Sequence, residues 1–83
     1  MSYDIEFSAQ AKRFLKHLDK NVALRVLEKF EQTKEDPFRY LEHNEGDYYK
    51  LRIGKIRALV DVEQDSKLIL VQVIDKRGRI YKR

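Results

Sequence analysis

Hydrophobic and polar positions change their spacing along the chain, and each change marks an element. Tyr3-Asp4-Ile5-Glu6-Phe7 alternates, which predicts a short strand with Tyr3, Ile5 and Phe7 on one face. Ser8 then offers a helix N-cap. Ala11, Phe14, Leu15 and Leu18 follow at the spacing of one buried helical stripe, so a first helix is expected over 9–18. Asp19-Lys20-Asn21 interrupts that pattern; Ala23, Val26, Leu27 and Phe30 restart it and carry a second helix to about residue 34. The pair reads as an αα-hairpin. Glu35-Asp36-Pro37 ends it, because a residue preceding proline is pushed out of the α region. Residues 38–47 hold no period, and Asn44-Glu45-Gly46-Asp47 has turn composition, so a loop is expected there.

Three apolar-rich runs follow, over 48–53, 56–63 and 67–74, separated by Gly54-Lys55 and by Gln64-Asp65-Ser66. Glycine first in a two-residue connection suits a type II′ hairpin turn, so the first two runs should be adjacent antiparallel strands. The third run is apolar at nearly every position, as an interior strand covered wholly or partly on both faces would be. Residues 75–79 read as a loop, and Ile80-Tyr81 as a brief return to the sheet. The fold class this predicts is α+β: an N-terminal strand, an αα-hairpin and a three-stranded antiparallel meander, with the helices on one face of a single sheet. No repeat, linker or low-complexity tract divides the chain, so one domain over 1–83 is expected.

A turn at Gly54-Lys55 fixes the register of the hairpin and so sorts its side chains. Ile53 is set opposite Ile56, Arg52 opposite Arg57, Leu51 opposite Ala58 and Lys50 opposite Leu59. One face then carries Tyr49, Leu51, Ile53, Ile56, Ala58, Val60 and Val62, all able to bury against the helices. The other carries Tyr48, Lys50, Arg52, Arg57, Leu59 and Asp61. Directly opposed like charges on a sheet destabilise it by up to about 1 kcal/mol, so Arg52 facing Arg57 calls for a bound anion or a solvated outer face. The same register continued through the next turn sets Gln72 opposite Leu59 and Ile74 opposite Arg57, and leads the chain out beside the patch just before Lys76, Arg77 and Arg79.

Composition narrows the range of partners. Lys and Arg number 18 against 14 Asp and Glu, a net charge of +4, and five of the basic groups lie in the last nine residues. A polyanionic partner, or an acidic protein segment, is the expectation. With no cysteine among 83 residues, a disulfide framework, a thiolate metal site and a thiol nucleophile are excluded. The opening Met1-Ser2-Tyr3-Asp4-Ile5-Glu6 has no apolar run behind it and nothing approaches a membrane span, so a cytoplasmic protein that does not engage membrane is expected. His17 and His43 lack a third ligand and are read as solvated. Tyr48 and Tyr81 offer rings on which a splayed base stacks, whereas Tyr49 is read as sheet-edge packing.

These residues carry a resemblance. The order of elements, the segment Tyr49-Lys50-Leu51-Arg52-Ile53-Gly54-Lys55-Ile56-Arg57 and the ending Lys76-Arg77-Gly78-Arg79-Ile80-Tyr81 together resemble the RelE/ParE toxin superfamily over nearly the whole chain. The hairpin is similar to the family's Tyr-x-Leu-Arg-x-Gly-x-Tyr-Arg pattern. The sequence departs from it at Tyr48, where the family has its first hairpin lysine, and at Ile56, where it has an aromatic residue. Relatives that rely on a Glu and a C-terminal His are not matched, since no His follows His43.

What the resemblance to the RelE-like branch implies is a toxin of a type II toxin–antitoxin system, a ribosome-dependent endoribonuclease that cuts mRNA in the ribosomal A site. The implied partner is a cognate antitoxin, acidic and helix-rich, bound in a hetero-oligomer. Carried onto this sequence, the catalytic positions are Lys50, Arg57, Arg77 and Tyr81, with Tyr48, Arg52, Lys76, Arg79 and Lys82 as substrate-binding residues. The implied chemistry passes the scissile phosphate to the neighbouring 2′-OH and needs neither metal nor cofactor. Lys50 or Tyr81 would serve as base, while Arg57 and Arg77, permanently charged and bidentate toward phosphate, would neutralise the phosphorane. The alternatives are a ParE-like inhibitor of DNA gyrase without nuclease chemistry, and a degenerate module whose cationic face only receives an antitoxin segment.

Overall fold

Ser8 closes the first strand and opens the first helix, its Oγ accepting a hydrogen bond from Ala11 N at 3.1 Å. In the computed structural model, which describes residues 2–43 and 46–76, β1 (Asp4–Phe7) precedes this cap and α1 (Ala9–Lys16) follows it. Ala11 is buried, and Phe14, Leu15 and Leu18 pack against the core, as the helical stripe requires. Asp19 does not belong to a three-residue break. Its carboxylate accepts from Asn21 N and caps α2 (Lys20–Glu35), which starts earlier than the apolar periodicity alone indicates. Pro37 stops α2 as expected, then lies in the first turn of a short helix, α3 (Pro37–Tyr40), where a missing N–H leaves no hydrogen bond unmade. The stretch read as a loop therefore contains α3 and a two-residue strand, β2 (Glu42–His43).

β3 (Tyr49–Ile53), β4 (Ile56–Glu63) and β5 (Leu68–Lys76) complete a five-stranded sheet in the order β1-β5-β4-β3-β2. β1 runs parallel to β5 and the remaining pairs are antiparallel. Leu51, Ile53, Ile56, Ala58, Val60, Ile69, Val71 and Ile74 form one core with Ala11, Val26 and Phe30 of the helices. Among the described residues, no helix lies over the opposite sheet face. The hairpin register matches the sequence reading at every pair from Lys50–Leu59 to Ile53–Ile56. At its turn Gly54 has φ +59°, whereas Lys55 is not in the positive-φ region, the φ signs of a type II′ connection. A Cβ on Gly54 would meet nothing within 4 Å, so only the backbone resists a side chain there. Gly54→Ala is therefore expected to cost about 1–2 kcal/mol in urea denaturation, and Gly54→Asn less.

The register between β4 and β5 differs from the one the sequence suggests. Leu59 faces Val73 and Arg57 faces Asp75, not Gln72 and Ile74, because one extra residue, Gln72, is inserted between the Leu59–Val73 and Val60–Val71 pairs. Strict alternation after Val71 would bury Val73 and expose Ile74; the bulge instead returns Ile74 to the core. It is held by α1. β1 ends at Phe7, so among the described residues β5 has no ladder partner on that side beyond Val71. Ser8 Oγ donates to Gln72 O (2.6 Å), Gln10 Nε2 donates to Ile74 O (2.9 Å), and Ile74 N donates to Gln10 Oε1 (3.0 Å). Two side chains thus take the place of a missing strand and carry β5 on to Lys76.

Candidate functional site

On the face without helices, the end of the sheet nearest the Gly54 turn gathers Lys50 and Arg52 from β3 with Arg57 from β4. Each is placed by strand alternation, and Arg52 stands directly opposite Arg57 as the sequence indicates. Their exposures differ widely. The Arg52 side chain is 55% exposed and that of Lys50 13%. Arg57 is only 7% exposed, sunk into the sheet surface rather than presented on it.

Arg57 is the most unusual group of the site. Its Nη1 makes one long hydrogen bond to Gly54 O, at 3.5 Å. Among the described residues no acceptor lies within hydrogen-bonding reach of its buried Nε. A buried donor left unpaired costs roughly 1–3 kcal/mol, so Arg57 holds its guanidinium here at an energetic cost that its one long hydrogen bond does little to offset. Across the strand stands Asp75, itself 8% exposed and receiving Lys76 N on Oδ1 at 2.7 Å. The acid faces Arg57 only because of the Gln72 bulge.

Two acidic residues that a linear reading misses border the cations. Asp75 is one, hidden by the one-residue change of register. The other is Glu42, which β2 sets opposite Lys50; its Oε1 lies 3.9 Å from Lys50 Nζ and 3.6 Å from Arg52 Nε. A strand of two residues carries no periodicity, so no local signal announces it. Farther along the same face Gln72 Nε2 donates to Asp61 Oδ2 at 3.0 Å.

Of the remaining expected site residues, Tyr48 is exposed just ahead of β3. Lys76 is not brought to the cationic face: its strand partner is Ile56, and with Gln10, Arg13, Phe14 and His17 it lines a cavity beside α1. Arg77, Arg79, Tyr81 and Lys82 lie outside the described residues, as does the expected brief strand at Ile80-Tyr81. Tyr49 packs as the sequence suggests, edge-on to Phe38 (5.4 Å) and His43 (5.5 Å). His43 and His17 are exposed, with His17 Nδ1 2.8 Å from Arg13 O.

A five-stranded sheet with its helices packed on one face is a fold shared with a known group of proteins. A family model described as the ParE toxin of a type II toxin–antitoxin system, parDE, matches residues 5–81. The chain belongs to this toxin family. Solved structures agree on the fold of the toxin. A chain of the RelBE2 toxin–antitoxin complex from Mycobacterium tuberculosis superposes with a TM-score of 0.82 at 22% identity, over 93% of this toxin and 100% of that chain. A chain of the archaeal RelE–RelB complex from Pyrococcus horikoshii OT3 gives 0.79 at 25% identity, over 95% and 99%. A mutant of the Escherichia coli toxin RelE in its free state gives 0.77 at 20% identity, over 99% and 90%. Comparison with curated protein sequences finds no match. The toxin is thus a RelE/ParE superfamily member with the α+β architecture expected of one.

Proposed function

We propose that the toxin is a metal-independent, ribosome-dependent endoribonuclease that cleaves mRNA by attack of a 2′-OH on the adjacent phosphate, and so stops translation in the cytoplasm. The observation that carries this reading is Arg57: a buried guanidinium beside Lys50 and opposite Arg52, with its Nε unpartnered among the described residues. Such a group suits a phosphorane, whose extra negative charge appears only in the transition state and is best met by donors already in position. Lys50 or Tyr81 takes the 2′-OH proton as that oxygen bonds to phosphorus, and Arg57 and Arg77 neutralise the phosphorane. The P–O5′ bond then breaks to leave a 2′,3′-cyclic phosphate and a 5′ oxygen that departs as a hydroxyl on receiving a proton; Arg52, Arg79 and Lys82 hold the flanking backbone. Tyr48, exposed at the edge of the cationic face, receives a splayed base. With about four phosphate contacts, binding of a single-stranded RNA should weaken with salt at a log–log slope near about −2.8, roughly −0.7 per contact. Fluorescence anisotropy over a salt series measures this.

The relatives from Mycobacterium tuberculosis and Pyrococcus horikoshii were solved as complexes of toxin and antitoxin. An antitoxin hetero-complex is the corresponding reading here, with an acidic segment lying over the cations. A second reading, inhibition of DNA gyrase without nuclease chemistry, is favoured by the description of the matching family model. One experiment separates the two. Purified toxin is added to a translating extract and, in parallel, to gyrase with relaxed plasmid. The nuclease reading expects mRNA cut on ribosomes with supercoiling intact; supercoiling lost with mRNA whole establishes the gyrase reading instead.

A further inference from the structure

Glu42 bridges, through one carboxylate oxygen, two cations that stand two residues apart on one face of β3. From this we propose that Glu42 is an internal stand-in for phosphate: it competes with the nucleic-acid backbone for Lys50 and Arg52 and sets how tightly the cationic face holds RNA. The inference rests on the reading of that face as an RNA site.

A backbone phosphate placed on this face would put an anionic oxygen between the Lys50 ammonium and the Arg52 guanidinium. Glu42 Oε1 already occupies that position, at 3.9 and 3.6 Å. Both separations exceed hydrogen-bonding length, so the carboxylate is an electrostatic neighbour of the cations and not a tight partner. Glu42 is also 54% exposed, where an ion pair is worth little and is screened by salt. A strongly bound carboxylate would close the site and a distant one would leave its field untouched. This one is displaceable, yet it cancels cationic charge until displaced.

The topology supports a role beyond joining strands. β2 has two residues and, among the described residues, pairs only with β3, at the edge of the sheet. Its two side chains divide their work. His43 turns with its partner Tyr49 toward the aromatic contact with Phe38, while Glu42 takes the cationic face beside Lys50. The edge therefore places one acid against the cations at little structural cost. Displacing Glu42 asks nothing of the core, since the carboxylate swings into water.

The test compares wild-type toxin with Glu42→Gln, and with Glu63→Gln as a control. Glu63 ends β4 at the far end of the sheet, is exposed, and gives the same change in net charge. The probe is a fluorescein-labelled single-stranded RNA of about ten nucleotides carrying 2′-O-methyl groups, so that binding is read without cleavage. Glu42→Gln is expected to bind about two- to fivefold more tightly at low salt. Its log–log salt slope should be steeper by about 0.7 for each cation the carboxylate no longer neutralises. Glu63→Gln should match wild type. Equal affinity and slope for wild type and Glu42→Gln overturn the inference while leaving the RNA site standing, as does an equal gain in both variants, which would reflect net charge alone. Absence of binding by the wild type overturns the site and the inference together. Thermal melting of each variant confirms a folded sample, and weaker binding by a folded Glu42→Gln would mean that Glu42 orients the cations for RNA, the reverse of competition.

Discussion

Single-turnover cleavage of mRNA on stalled ribosomes is expected to fall at least about a hundredfold when Arg57 is replaced by alanine. Losing one donor that meets charge developing in the transition state costs roughly 2.7–4 kcal/mol, or about a hundred- to a thousandfold in rate. The position of Arg57 makes it a demanding test. Its guanidinium is almost wholly buried with one donor unpaired, so most of its desolvation cost is already met in the free protein, which is the condition for a strong electrostatic effect on an arriving phosphate. Alanine relieves an unpaired buried donor, worth about 1–3 kcal/mol, but forfeits the packing of the aliphatic stem and the charge that faces the buried Asp75, so urea denaturation of the variant accompanies the kinetics to separate loss of fold from loss of chemistry. Arg57→Lys keeps the charge but not the bidentate geometry, and should recover only part of the rate. A folded Arg57→Ala that cleaves at the wild-type rate would reduce Arg57 to a packing residue and remove the main support of the nuclease reading. Arg77→Ala is expected to behave as Arg57→Ala does, by the sequence resemblance of the Lys76-to-Tyr81 segment.

The second large effect is on stability. Phe30→Ala should lower the free energy of unfolding by about 3–5 kcal/mol, read as a fall in the urea midpoint at unchanged slope. Phe30 is 2% exposed, on the inner face of α2, and its ring meets that of Phe7 edge-on, with centroids 5.3 Å apart at 90°. It therefore ties α2 to β1, the edge strand that pairs with β5. A chain of 83 residues has a total stability of about 4–12 kcal/mol, so the loss is a large share of the whole. Phe30→Leu, which keeps most of the volume, should cost about 1.5 kcal/mol or less. A loss under about 1 kcal/mol for the alanine variant would mean that β1 and α2 are held together by other contacts.

The two effects are linked by the path of the chain. β1 docked on β5 brings Ser8 and Gln10 against Gln72 and Ile74, and those contacts hold the bulge that places Asp75 across from Arg57. Weakening the core at Phe30 therefore loosens the site as well.

What the sequence determined by itself was whatever depends on neighbours in the chain. The helical stripes, the Ser8 cap, the end of α2 before Pro37 and the hairpin register all follow from spacing, from caps or from a two-residue turn, and these act over a few residues. The gathering of Lys50, Arg52 and Arg57 on one face was legible for that reason. Three features were decided only by the tertiary structure. The bulge at Gln72 arises because burying Ile74, together with hydrogen bonds from Ser8 and Gln10 more than sixty residues away, outweighs strict alternation. The placing of Glu42 needs β3 as a template, since two residues cannot specify a strand alone. The depth of Arg57 depends on how closely neighbouring strands and the facing Asp75 crowd it, a property of three-dimensional packing that no spacing of residues encodes.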